Sequence, residues 1–202
     1  MFVQVIQGRT SNPAALRATF DRWSSELGPD AVGYLGATAG VTEDGRFIAL
    51  VRFDSADSAR RNSERPEQDA WWTETSALLD GEATFHDSEE VDVDLAGDPD
   101  QAGFVQMMQG RSTDPVRSRQ LMTEDSEAWA SFRPDVLGSL NVDHGDGGWT
   151  SELFFTSEAE AREGERKEMP PELQAQMAEM GSLTEGEVEY FDLKDPWIYT
   201  PR

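Results

Sequence analysis

The chain has no cysteine, almost no lysine and no long apolar run. Without cysteine, none of its 202 residues can form a disulfide, a thiolate metal site or a cysteine nucleophile. Lys167 and Lys194 are the only lysines, and the 17 basic side chains face 40 acidic ones. A net charge of -23 repels phosphate backbones and anionic lipid, which argues against nucleic acid and membrane as partners and leaves neutral or cationic ligands as the easier ones. Both halves share this acidity: residues 1–100 hold 8 basic and 20 acidic side chains, residues 101–202 hold 9 and 20. It is a global surface property, read either as plain solubility or as adaptation to high salt. No apolar stretch approaches the roughly 18–20 residues of a membrane span, and the N-terminus lacks a signal peptide's basic and apolar regions, so a cytoplasmic location is expected.

What the chain does contain is a repeat. Phe2, Val3, Gln4, Gln7, Gly8, Arg9 and Pro13 recur 102 positions later as Phe104, Val105, Gln106, Gln109, Gly110, Arg111 and Pro115. So many matches within a dozen residues indicate a tandem duplication, with two units of about 95 residues in a chain that is 37% hydrophobic. Residues 1–97 form the first repeat, 98–102 a linker, and 103–202 the second repeat with a C-terminal tail.

Alternation over Phe2 to Gln7 predicts a first strand. Asn12-Pro13 and Asp114-Pro115 each pair an N-cap with a first-turn proline. Leu16, Phe20, Trp23 and Leu27 then give the helix one apolar stripe, with Leu121, Met122 and Trp129 in the similar part of the second half. Between these helices and the following strands the offset grows from 102 to 105, implying three extra residues in the second helix region. Two further strands are predicted at 32–41 and 46–53, matched by 136–142 and 149–155. A capped helix broken by Pro66 or by Pro170-Pro171 follows in each half, and then a fourth strand. An acidic edge strand over Val91, Val93 and Leu95 leads into the linker. The tail Asp195 to Tyr199 is apolar enough to dock elsewhere, on the other half or on a partner.

Each half therefore reads strand, helix, strand, strand, helix, strand, the order of a ferredoxin-like unit. That order, the Phe-Val-Gln opening strand, the Gly-Arg turn and the segment from Ala59 to Trp72 resemble the dimeric α+β barrel superfamily, and within it the antibiotic-biosynthesis-monooxygenase-like proteins. The resemblance implies an α+β fold: two tandem ferredoxin-like (βαββαβ) repeats forming an intramolecular dimeric-type α+β barrel, joined sheet to sheet around a lumen. It also implies a chain that is a pseudo-dimer as a monomer, or that pairs further as a homodimer.

Similar monooxygenases place asparagine, tryptophan and a few polar groups around an aromatic substrate that itself reduces oxygen, without a cofactor. Asn62, Trp72 and His86 are the catalytic candidates on that basis, for orientation, wall and proton transfer. If Val3 and Val5 meet the helices, Phe2, Gln4, Ile6, Phe104, Gln106 and Met108 face the lumen, and Phe2, Gln4, Gln106 and Trp71 are candidate ligand contacts. The buried amides of Gln4 and Gln106 must either pair within the protein or bind a ligand. The halves differ at these positions, with Gly164 opposite Asn62 and Phe191 opposite His86. Haem fits less well, because the similar haem degraders carry asparagine on the first strand, where this chain has Gln4 and Gln7. His144 lies in Asp143-His144-Gly145-Asp146-Gly147-Gly148 without a second histidine nearby, so no metal is expected. Two readings follow. One is a cofactor-independent monooxygenase-like enzyme acting on a small aromatic or polyketide-like molecule. The other is a non-catalytic ligand-binding or scaffold protein, in which Trp71 and Trp72 pack the helix, Asn62 caps its segment and His86 is an ordinary strand residue.

Overall fold

The computed structural model describes residues 1–94 and 97–201. It resolves the chain into two compact units: Met1–Val91 together with the chain from Asp195 onward, and Asp92–Lys194.

The first unit holds β1 (Phe2–Arg9), α1 (Pro13–Glu26), β2 (Tyr34–Val41), β3 (Arg46–Phe53), α2 (Ala56–Ser63), α3 (Pro66–Ser76) and β4 (Thr84–Ser88). A short strand near the chain's end, β10 (Trp197–Tyr199), completes an antiparallel sheet of order β10-β2-β3-β1-β4. The second unit holds β5 (Val91–Asp94), β6 (Phe104–Ser112), α4 (Pro115–Thr123), α5 (Ser126–Phe132), β7 (Val136–Asp143), β8 (Gly148–Phe155), α6 (Glu158–Glu165), α7 (Pro171–Leu183) and β9 (Thr184–Leu193). Its sheet runs β5-β7-β8-β6-β9.

The duplication is visible in the registers. Phe2 pairs with Phe53 and Phe104 with Phe155; Arg9 pairs with Arg46 and Arg111 with Gly148. The helix starts repeat as well. Asn12 Oδ1 accepts from Ala15 N at 3.2 Å and Asp114 Oδ1 from Arg117 N at 3.0 Å, each ahead of a first-turn proline. Ser157 Oγ accepts from Glu160 N at 3.2 Å, the expected cap, but the Glu160 carboxylate returns to the Ser157 hydroxyl and not to its backbone N–H. The three extra residues divide the helix that α1 leaves whole: α4 stops at Thr123, and Asp125 turns left-handed (φ 54°) before α5.

Each sheet takes one edge strand, beside β2 or β7, from outside its own repeat. The acidic edge strand, described through Asp94 with Leu95 outside the described residues, lies beside β7, and the tail lies beside β2. One expectation is corrected: the sheet faces are reversed. Phe2 and Ile6 pack with Leu16, Phe20, Trp23 and Trp71 of the helices, and Phe104 packs with Ala161 of α6. Val3 and Val5, fully buried, lie on the opposite face. Alternation sorts residues into faces, but a strand apolar on both faces does not say which one meets the helices. Among the described residues no helix is long and apolar enough to cross a membrane.

Candidate functional site

In the first unit the space between sheet and helices is filled with rings. Phe20 lies 5.4 Å from Trp71, 5.8 Å from Trp197 and 5.6 Å from Phe47, and Trp23 lies 4.8 Å from Tyr34. Trp71 is buried and donates its indole N–H to the Thr19 carbonyl at 2.8 Å. Tyr199 donates its hydroxyl to Asp21 at 2.8 Å; burial, and then that carboxylate, push its phenol well above the usual range and keep it a donor.

The residues singled out from the sequence do not converge there. Asn62 is buried, but its Oδ1 accepts from Arg65 Nη1 at 3.0 Å. Trp72 packs edge-on against Phe85 at 5.4 Å, on the helix face, whereas the neighbouring His86 points to the opposite face and is exposed. Gln4 donates to Asp87 and Gln106 to Asp192, each at 2.8 Å across neighbouring strands, so both amides are satisfied by the same cross-strand device. Phe2 belongs to the helix-facing core. Position 164 is glycine because the Arg133 guanidinium lies over it, held by Asp135 at 2.8 Å in a buried ion pair. In the first half Asn62 and Arg65 occupy the similar place.

The second unit has a cavity of about 630 Å³ between β5–β9 and helices α4, α5 and α7. That is an ordinary size for a small-molecule site. Leu121, Trp129, Leu153, Phe155, Met177 and Met180 supply apolar wall. The Trp149 indole, another lining group, packs against Gly110, where a Cβ atom would come within 2.7 Å of it. The helix side is braced by Gln176. Its Oε1 accepts from Trp129 Nε1 at 2.6 Å, and its Nε2 donates to the Glu124 carbonyl at 3.0 Å and to the Leu121 carbonyl. At the rim Asp92 of β5 holds Arg119 in a two-pronged ion pair, the shorter arm 2.5 Å. On the sheet side, Ser139, Asn141 and Ser151 present small polar groups from β7 and β8.

The duplicate half explains why one unit is open and the other filled. Matching registers place Ser139, Asn141 and Ser151 where the first unit has Ala37, Ala39 and Ala49, all buried in its core. At the later offset of 105, Gln176 and Met177 replace Trp71 and Trp72. The edge strand contributes Trp197 and Tyr199 to the first unit's core, and Asp92 and Asp94 to the second unit's cavity. The two copies thus differ: one carries tryptophans and alanines where the other carries Gln176, Met177 and small polar groups around a space. Among the described residues no group of three or more histidines or carboxylates is arranged to hold a metal.

Asn62 and His86 stand out in the sequence as polar or titratable differences between the repeats. The cavity is signalled instead by the alanine-to-polar differences and by Gln176 and Met177 in place of Trp71 and Trp72.

No protein-family model matches the chain, and no curated protein matches it. Solved structures share its fold end to end. A candidate monooxygenase from Fusobacterium nucleatum superposes with a TM-score of 0.74 at 9% identity, covering 98% of this chain and 94% of its own. An anthrone oxidase-like protein gives 0.63 at 9% identity over 98% and 93%. A Listeria monocytogenes ferredoxin-fold protein related to antibiotic biosynthesis monooxygenases gives 0.51 at 11% identity over 100% and 95%. At these identities the likeness establishes the fold: tandem ferredoxin-like repeats of the kind found in antibiotic-biosynthesis-monooxygenase-like proteins.

Proposed function

We propose that the second unit is a binding site for a flat aromatic molecule and that the protein acts there as a cofactor-independent, monooxygenase-like enzyme. The observation carrying this reading is the cavity of about 630 Å³, walled by Trp129, Phe155, Leu153 and methionines, in the one copy where the filling rings are replaced. Apolar walls with a few polar groups suit a ring system bearing oxygen substituents. The fold-level likeness to monooxygenase-like proteins supports the reaction class by analogy only.

An anthrone-type substrate would supply its own electrons. Its methylene carbon becomes a carbonyl, taking one atom of O₂, and the other oxygen leaves as water with the two methylene hydrogens. Oxygen uptake with anthrone, above the uncatalysed rate, is the test. Ser139→Phe should abolish the excess, because Ser139 lines the cavity on β7, its hydroxyl has no hydrogen-bond partner among the described residues, and aromatic side chains suit strands. Equal uptake by wild type, variant and buffer would refute the enzyme.

One observation favours the second reading, a binding protein without chemistry. Ser139, Asn141 and Ser151 do not titrate, and two of the charged lining residues, Asp92 and Arg119, are held in an ion pair. Ligand binding by wild type without oxygen uptake, lost in Ser139→Phe, identifies that case.

A further inference from the structure

We infer that Asn141, oriented by Ser151, reads a carbonyl or quinone oxygen on the ligand's ring, so the cavity selects oxygenated aromatics over hydrocarbons of the same shape. The inference rests on the cavity being a ligand site. It starts from one cross-strand pair: Asn141 of β7 lies opposite Ser151 of β8, and both line the cavity.

Ser151 is buried, and its hydroxyl donates to Asn141 Oδ1 at 2.6 Å. In this arrangement the hydroxyl is the donor, so the bond is taken by the amide oxygen and not by the NH₂ group. Nδ2, with two N–H donors, is then left without a partner among the described residues. Water or a ligand in the cavity can supply its acceptor. A donor held on two paired strands is also pre-oriented, which makes it selective.

The first repeat serves as an internal control. The same cross-strand pair there is Ala39 and Ala49, fully buried and packed into a closed core. A strand pair that packs well as two alanines does not need an amide and a hydroxyl for folding. They stand only in the copy that contains the space. Because a site built around a donor penalises a ligand that leaves the donor unpaired, a ring lacking the oxygen is disfavoured even when its shape fits.

The probes are naphthoquinone and naphthalene, titrated calorimetrically into the full chain. Having no cysteine, the protein offers no thiol to add to the quinone. Wild type should prefer naphthoquinone by roughly tenfold, the worth of one satisfied donor. Asn141→Leu, of similar size, should lose that preference while binding naphthalene at least as well. Ser151→Ala should lose part of it, since the amide then turns freely. Melting temperature and near-UV circular dichroism check that each variant is folded, and the wild-type preference is informative without any variant. Equal wild-type affinity for the two probes, or a preference that survives Asn141→Leu, would overturn the inference while leaving the cavity a binding site. If neither probe binds, the cavity reading falls, and the inference with it.

Discussion

Trp197→Ala tests the claim that the first unit's space is filled by rings brought in from the tail. Trp197 is 4% exposed and sits on β10, with its ring 5.8 Å from Phe20 and 6.3 Å from Phe47. A tryptophan buries roughly 150–250 Å². At about 25 cal/mol per Å², removing that ring forfeits about 4–6 kcal/mol, an upper bound because unfolded chains also bury some surface. Measured large-to-small changes of aromatics cost about 3–5 kcal/mol, and that is the expected loss. The Ala39 backbone opposite Trp197 continues to pair with β10, so the loss is one of packing. Urea unfolding followed by far-UV circular dichroism measures it without relying on the tryptophan signal. Trp149→Ala is the control: that ring is only half-buried and faces a space that is already open, so its removal should cost clearly less. A loss below about 1 kcal/mol for Trp197→Ala, within the range of ordinary surface changes, would refute the filling argument.

Two further outcomes are expected. Gln176→Ala leaves the indole N–H of Trp129 and the carbonyls of Leu121 and Glu124 without their amide, and should cost about 2–4 kcal/mol in urea unfolding, whereas Gln176→Glu, which sets a carboxylate oxygen against both carbonyls in a buried place, should lose at least as much as the alanine variant. Arg117 hydrogen-bonds Glu179 at 2.6 Å and holds that carboxyl below its usual 4.5. Because the folded value is lowered, the stabilisation is complete above the usual value and disappears as pH falls through the folded one. The melting-temperature deficit of Glu179→Gln should therefore be largest near neutral pH, close in acid and shrink with added salt; a deficit unchanged from neutral to acid would contradict the pairing.

The duplication, the order of elements and the helix starts were legible in the sequence because each rests on local chemistry: Asn12-Pro13, Asp114-Pro115 and the alternation of Phe2 to Gln7. The three extra residues were legible as a length, and the break at Asp125 is where they went. What failed was long-range placement. Val3 and Val5 are as apolar as Phe2 and Ile6, so nothing in the strand said which set met the helices. That the tail docks on the other half and that Val91–Asp94 forms an edge strand were expected, but which strands they join, β2 and β7, depends on edges that only the folded sheets expose. Gln4 and Gln106 were open between internal pairing and a ligand until Asp87 and Asp192 stood across from them. Asn62 differed from Gly164 for a packing reason, the guanidinium of Arg133, which lies far along the chain. Conversely, Ala39 to Asn141 and Ala49 to Ser151 are modest changes in sequence, and become informative only when register sets them side by side above a space.

The most direct measurement is a crystal structure of the full chain soaked with naphthoquinone. The quinone is expected in the second unit alone, between Trp129 and the β7–β8 face, with one quinone oxygen within hydrogen-bonding reach of Asn141 Nδ2. A quinone bound beside Asn62 and Trp72 in the first unit, or a second-unit cavity that stays free of it at saturating concentration, would contradict the account.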